Sequence, residues 1–162
     1  MRILKEINTE KILFLDIETV PQYPSYHYLS ERFKKLWDAK AKNIIKYSKD
    51  ENPEKETPSE LYNSAGIYSE FGKIIAVTVG MFNGENFRLK SFYGDNEKTL
   101  LEDFISLLEK HYNTPAHYLC AHNGKEFDFP FLARRIILNG LPIPQILDSA
   151  GKKPWETKYL DT

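Results

Sequence analysis

The sequence predicts a single α/β domain over residues 1–162, with a mixed β-sheet flanked by helices. Three observations carry that expectation. Residues 11–16, KILFLD, have the continuous apolar run of a buried strand. GKIIAVTVGMF and ENFRLKSFYG, on either side of Asn83-Gly84, read as an antiparallel hairpin. Helical and strand patterns then alternate to the end of the chain, as a partly parallel sheet requires.

Each element has its own warrant. After the first strand, VPQYPSYHY is broken by Pro21 and Pro24 and reads as a loop. LSERFKKLWDAKAKNIIKY follows, with Leu29, Phe33, Leu36 and Trp37 at helical spacing and Ser30 as a candidate cap. The charged stretch SKDENPEKETP reads as a solvated loop, although its lysines also suit contact with a phosphate backbone. Thr57, Pro58 and Glu60 form the pattern of a capping box with proline at the first helical position, opening a short helix that ends near Gly66. NEKTLLEDFISLLEKHY places Leu100, Phe104 and Leu108 on one helical stripe, flanked by Leu101 and Ile105. AHYLCAHN reads as a short strand, and FDFPFLARRIILNG as a helix with Pro130 in its first turn and Gly140 as its stop. The remainder is broken by prolines and ends in a short strand pattern.

Composition narrows the possible functions. A formal net charge of −1 argues against gripping nucleic acid by a bulk positive field, yet leaves room for a cleft that holds a few nucleotides. Cys120 is the single cysteine, which excludes an internal disulfide or a cysteine-rich zinc site and fits a buried thiol in a reducing, cytoplasmic setting. No window approaches the roughly 18 apolar residues of a membrane span. The N-terminus lacks the apolar core of a secretory signal.

Two segments carry chemistry. Asp16 and Glu18 are two residues apart in a strand, so both side chains project from one face at its C-terminal end. Adjacent carboxylates resist ionising together, and a divalent cation relieves the conflict. Carboxylate oxygens suit Mg²⁺ or Mn²⁺. A lone Asp-x-Glu also fits a turn cap beside a solvated glutamate. In AHNGKEFDFPFL, Asn123 precedes Phe127 by four residues and Asp128 follows at a helix start, where the dipole favours a carboxylate. Read by itself, Asp128 also fits a plain N-cap and Asn123 a turn residue.

Together, FLDIET and HNGKEFDFPFL resemble the first and second motifs of the DEDD superfamily of 3′–5′ exonucleases, which have a ribonuclease H-like fold. FDFPFL looks most like the proofreading exonuclease domain of B-family DNA polymerases and the stand-alone proteins similar to it. YSEFGKIIAVTVGMF resembles the second strand of those stand-alone proteins. The resemblance covers roughly residues 10 to 140. It implies metal-dependent hydrolysis of phosphodiester bonds at a single-stranded 3′ end, with DNA favoured over RNA. Asp16 would bridge two divalent cations, Mg²⁺ or Mn²⁺, and Glu18 would bind the one that activates water. Asp128 would support the second ion through water. Asn123 and Phe127 would position the terminal nucleotide, and backbone near Thr19 would meet its sugar.

One part of the family pattern is not matched. The third motif places a tyrosine four residues, or a histidine five residues, before a final aspartate, and neither occurs after residue 128. Asp148 and Asp161 lack the required partner, and Asp161 reads better as a turn cap than as a metal ligand. YLDT resembles the strand that precedes the third motif. The expectation is therefore a domain incomplete at its C-terminal side, weak or inactive alone. The alternative is a non-catalytic nucleic-acid-binding or scaffold domain that kept the fold.

Overall fold

A computed structural model describes residues 7–47 and 57–162. SKDENPEKE, at residues 48–56, lies outside the described residues. The chain gathers into two compact units, Met1–Glu18 with Ile74–Thr162, and Thr19–Lys73.

The larger unit is built on a mixed sheet of five strands in the order β3-β2-β1-β4-β5. These are β1 (Ile12–Pro21), β2 (Gly72–Asn83), β3 (Asn86–Tyr93), β4 (Tyr118–Ala121) and β5 (Tyr159–Asp161). The hairpin expected at Asn83-Gly84 is present: β2 and β3 run antiparallel, with Asn83 opposite Asn86 and Gly84 at φ 62°. That left-handed backbone is what the tight turn needs and what glycine adopts without a steric cost. β4 runs parallel to β1, Ile12 opposite Tyr118, and β5 parallel to β4, Leu119 opposite Tyr159. This is a mixed α/β sheet, the class the sequence predicts.

Alternation along β1 divides its side chains between two faces. Leu13, Leu15 and Ile17 enter the core, whereas Asp16 and Glu18 are exposed. The core face is covered by α3 (Glu97–His111) and α4 (Asp128–Leu138). Leu100, Leu101, Phe104 and Leu108 of α3 are each at most 4% exposed, and Phe129, Leu132 and Ile136 of α4 at most 1%. Each such side chain contributes roughly 1.5–3 kcal/mol. α3 opens on Asn96, whose side chain accepts the Thr99 N–H. Gly140, at φ 70°, follows the last turn of α4.

A buried polar knot crosses this layer. Glu97, 8% exposed, accepts from Arg135 Nε at 2.8 Å, from Arg135 Nη2, from the Ile74 N–H at 2.7 Å and from Asn139 Nδ2 at 2.9 Å. Every lone-pair direction of the carboxylate is used, as burial of a charge demands.

The smaller unit packs around Trp37, which is fully buried in α1 (Glu31–Tyr47). Its indole N–H donates to the Pro58 carbonyl at 2.7 Å, and its ring meets Tyr62 and Phe71 edge-on at 5.2 and 5.0 Å. Ser30 caps α1 by accepting the Phe33 N–H. The Thr57–Glu60 capping box opens α2 (Pro58–Leu61), which runs on as a 3-10 turn through Ile67. Two sequence expectations need correction. β1 continues to Pro21 instead of ending at residue 16, because extended backbone accommodates the fixed φ of proline at a strand end. Leu36 is 52% exposed: its neighbours Phe33 and Trp37 take the buried face and turn it outward.

Candidate active site

Two elements built from distant sequence supply the site. β1 carries Asp16 and Glu18 outward from within a core-anchored strand, and α4 begins with Asp128. Asp128 is the first residue of the helix, after Phe127 as N-cap, so it does not cap by its side chain. It is only 4% exposed. Burial pushes its carboxyl pKa up, opposed by its own backbone N–H. The negative charge of Asp16 pushes it up further, the Ile17 N–H draws it down, and Asp161 adds a smaller upward push. Asp128 therefore faces the middle of β1 at Asp16 and Ile17. Among the described residues, no three His, Cys, Asp or Glu side chains lie together closely enough to hold a metal ion.

The turn between β4 and α4 holds the second segment in place. Asn123 has φ 53°, a left-handed conformation that asparagine tolerates better than most residues, and its carbonyl accepts from both Glu126 and Phe127. Gly124 is buried, and a Cβ there would stand 2.5 Å from the Ala121 Cβ and 3.0 Å from the Phe129 ring. Only a glycine lets the turn approach the strand and helix this closely. Phe127 is half-buried against Phe131, centroids 5.3 Å apart, while the Asn123 side chain is exposed. Thr19 is half-buried, following Glu18 in β1.

Asp161 acquires a role that sequence reasoning saw only in part. Its carboxylate accepts from the Gly124 and Lys125 N–H groups, each at 3.2 Å, so it caps the turn that leads to Asp128. The parallel pairing of Ala121 with Asp161 brings it there, a contact across 37 residues with no local spacing signal. Two residue pairs earlier, Tyr159 stacks on Phe129 at 4.3 Å and donates to the Leu147 carbonyl. Cys120 is buried, and burial pushes its thiol pKa up, which suits an inert packing residue. His122 is exposed, with Nδ1 3.5 Å from the Thr162 hydroxyl.

Beside Asp16 lies an open hollow of about 170 Å³. Phe14, Leu15, Thr78, Gly80, Phe87 and Leu89 line it with Asp16. A carboxylate at the rim of an apolar floor suits a ligand with a polar backbone and a flat, apolar face.

A family model described as "predicted 3′–5′ exonuclease related to the exonuclease domain of PolB" matches residues 67–161, over half of the chain. The match contains Asn123, Phe127 and Asp128, and leaves Asp16 and Glu18 outside it. No curated protein matches the chain. Among solved structures, the family B DNA polymerase of the hyperthermophilic archaeon Pyrobaculum calidifontis is similar over 93% of this chain, at 13% identity and a TM-score of 0.48. The chain spans 15% of the length of that polymerase.

Proposed function

The chain belongs to the family of predicted 3′–5′ exonucleases related to the exonuclease domain of PolB, and from that premise we propose that it hydrolyses phosphodiester bonds at single-stranded 3′ ends in a metal-dependent reaction. DNA is the favoured substrate. The observation that carries this reading is buried Asp128 set close to Asp16 of β1.

The donor set fits a hard cation. Asp16, Glu18 and Asp128 offer only carboxylate oxygens, the ligands that Mg²⁺ or Mn²⁺ prefers, and two of these groups already repel each other. Such a metal pair, when bound, supplies Lewis acidity to the attacking and leaving oxygens. The rest falls to the chain's own residues. Asp16, held by the buried strand, and Asp128, buried at the first turn of α4, keep carboxylates at fixed places without reorganisation. Asn123 presents an exposed amide to the terminal nucleotide, Phe127 an apolar edge, and the backbone at Thr19 a partner for its sugar.

The lack, among the described residues, of three acidic or imidazole groups close enough to hold a metal ion supports a second reading, a nucleic-acid-binding domain without catalysis. One experiment separates them. A 5′-labelled single-stranded oligonucleotide incubated with the protein and Mn²⁺ should shorten stepwise from its 3′ end, and both Asp16→Ala and Asp128→Asn should abolish this. Binding without any metal-dependent shortening, identical in wild type and Asp16→Ala, would establish the second reading instead.

A further inference from the structure

Helix α1 carries a row of cations that the site does not use. At about 100° per residue, Arg32, Lys35, Lys42 and Lys46 fall within an arc of roughly 80°. All four are exposed, with the small exposed Ala39 between them. At about 1.5 Å per residue the row is roughly 21 Å long. The two acids of α1 lie off this arc and are engaged elsewhere. Glu31 pairs with Lys34 at 3.2 Å, and Asp38 accepts the Tyr26 hydroxyl at 2.8 Å. Among the described residues no ion pair involves the row, and its sign opposes the chain's formal net charge of −1. A neighbouring strip of the same helix exposes Leu36 at 52% and Tyr47 at 74%, the latter an aromatic face beside the last lysine.

We propose that this face of α1 binds the sugar-phosphate backbone of single-stranded nucleic acid. The proposal rests on the exonuclease reading and extends it to how a strand is held. A row of this length matches about six phosphates at the roughly 3.4 Å rise of a stacked strand. Cations combined with an exposed aromatic ring are the combination that single strands use, charge for the backbone and a π-face for a base. An anionic membrane is the poorer fit. The apolar face of α1 is already committed to the core around Trp37 and Ala41, which leaves only Leu36 and Tyr47 to insert.

The test is fluorescence anisotropy of a labelled dT oligonucleotide with the full chain in EDTA, from 50 to 200 mM KCl. Four bound cations contribute about 2.8 to the slope of log affinity against log salt, or about fifty-fold over that range. The variant Arg32→Gln/Lys35→Gln/Lys42→Gln/Lys46→Gln, matched to wild type by circular dichroism, should lose that dependence and bind at least tenfold more weakly at 50 mM. A control with four other exposed cations replaced, Arg88→Gln/Lys90→Gln/Lys98→Gln/Lys110→Gln, should keep it. Equal slopes in the α1 variant and wild type overturn the proposal, as does binding of phosphatidylserine vesicles in place of the oligonucleotide. Because EDTA removes catalysis from the measurement, the two readings fail separately. Metal-dependent shortening with a slope indifferent to α1 overturns only this inference. A slope carried by α1 without any shortening overturns only the exonuclease.

Discussion

Replacing Glu97 with glutamine keeps the side-chain volume and exchanges one carboxylate oxygen for an NH₂ group that faces donors. In the native protein, one oxygen accepts from Ile74 N–H and Arg135 Nε, the other from Arg135 Nη2 and Asn139 Nδ2. Whichever way the amide turns, two donors lose their acceptor, and Arg135, 5% exposed, loses its Glu97 counter-charge. Removing one member of a buried pair costs about 3–5 kcal/mol. The lower end applies here, since glutamine retains one acceptor oxygen. About 3 kcal/mol at roughly 2–4 °C per kcal/mol lowers Tm by about 10 °C. The effect depends on pH in a definite direction. Burial raises the Glu97 pKa, but Arg135, the Ile74 N–H and Asn139 together outweigh it and hold the group below its ordinary 4.5. A depressed carboxyl pKa stabilises the fold above the unfolded value and loses that contribution as pH falls through the folded value. The difference between wild type and Glu97→Gln should therefore be constant from pH 7 to about 5 and shrink below 4.5. Urea denaturation at pH 7 and pH 3 measures it. A difference under about 1 kcal/mol at pH 7, or one undiminished at pH 3, would refute the reasoning.

Three further outcomes are expected. Gly124→Ala should lower stability by about 1–3 kcal/mol in urea denaturation, because its Cβ meets Ala121 and Phe129 and neither can retreat. Asp161→Ala should free the Gly124 and Lys125 N–H groups, speeding their hydrogen exchange about fivefold for a loss of about 1 kcal/mol, with exchange in α3 unchanged. β3 is a sheet edge that exposes Phe87 at 48%, Leu89 at 70% and Tyr93 at 79%. Sedimentation velocity should show concentration-dependent association that Leu89→Lys reduces, since a charge on an edge strand opposes pairing.

The parts legible in the sequence are those governed by local rules. The hairpin at Asn83-Gly84, the capping box at Thr57, and the stripe Leu100–Phe104–Leu108 each depend on residues within a few positions of one another. What the sequence left unread has the opposite cause. Leu36 has the spacing of a core residue, and only the packing of Phe33 and Trp37 shows that the helix turns it outward. Glu97 reads as an ordinary acidic residue in a first helical turn, because Arg135 lies 38 positions away. Asp161 reads as a cap without an object until β5 pairs with β4. For the site, the sequence offered the residue types and the faces they occupy. It offered no sign that Asp128 is buried and close to Asp16.

The pairing of β1 with β4 also bears on the order of folding. Ile12 meets Tyr118 about 106 positions later, and β5 is added beyond that. Closing such a loop costs entropy before any contact repays it, so these pairings belong to the slow part of folding. The β2–β3 hairpin and α3 depend on near neighbours and can form early. Asp16, by contrast, lies more than a hundred positions before Asp128, and most of the intervening domain must form before the two can join. The carboxylates thus meet only once the parallel sheet exists, and partly folded forms hold the acids apart.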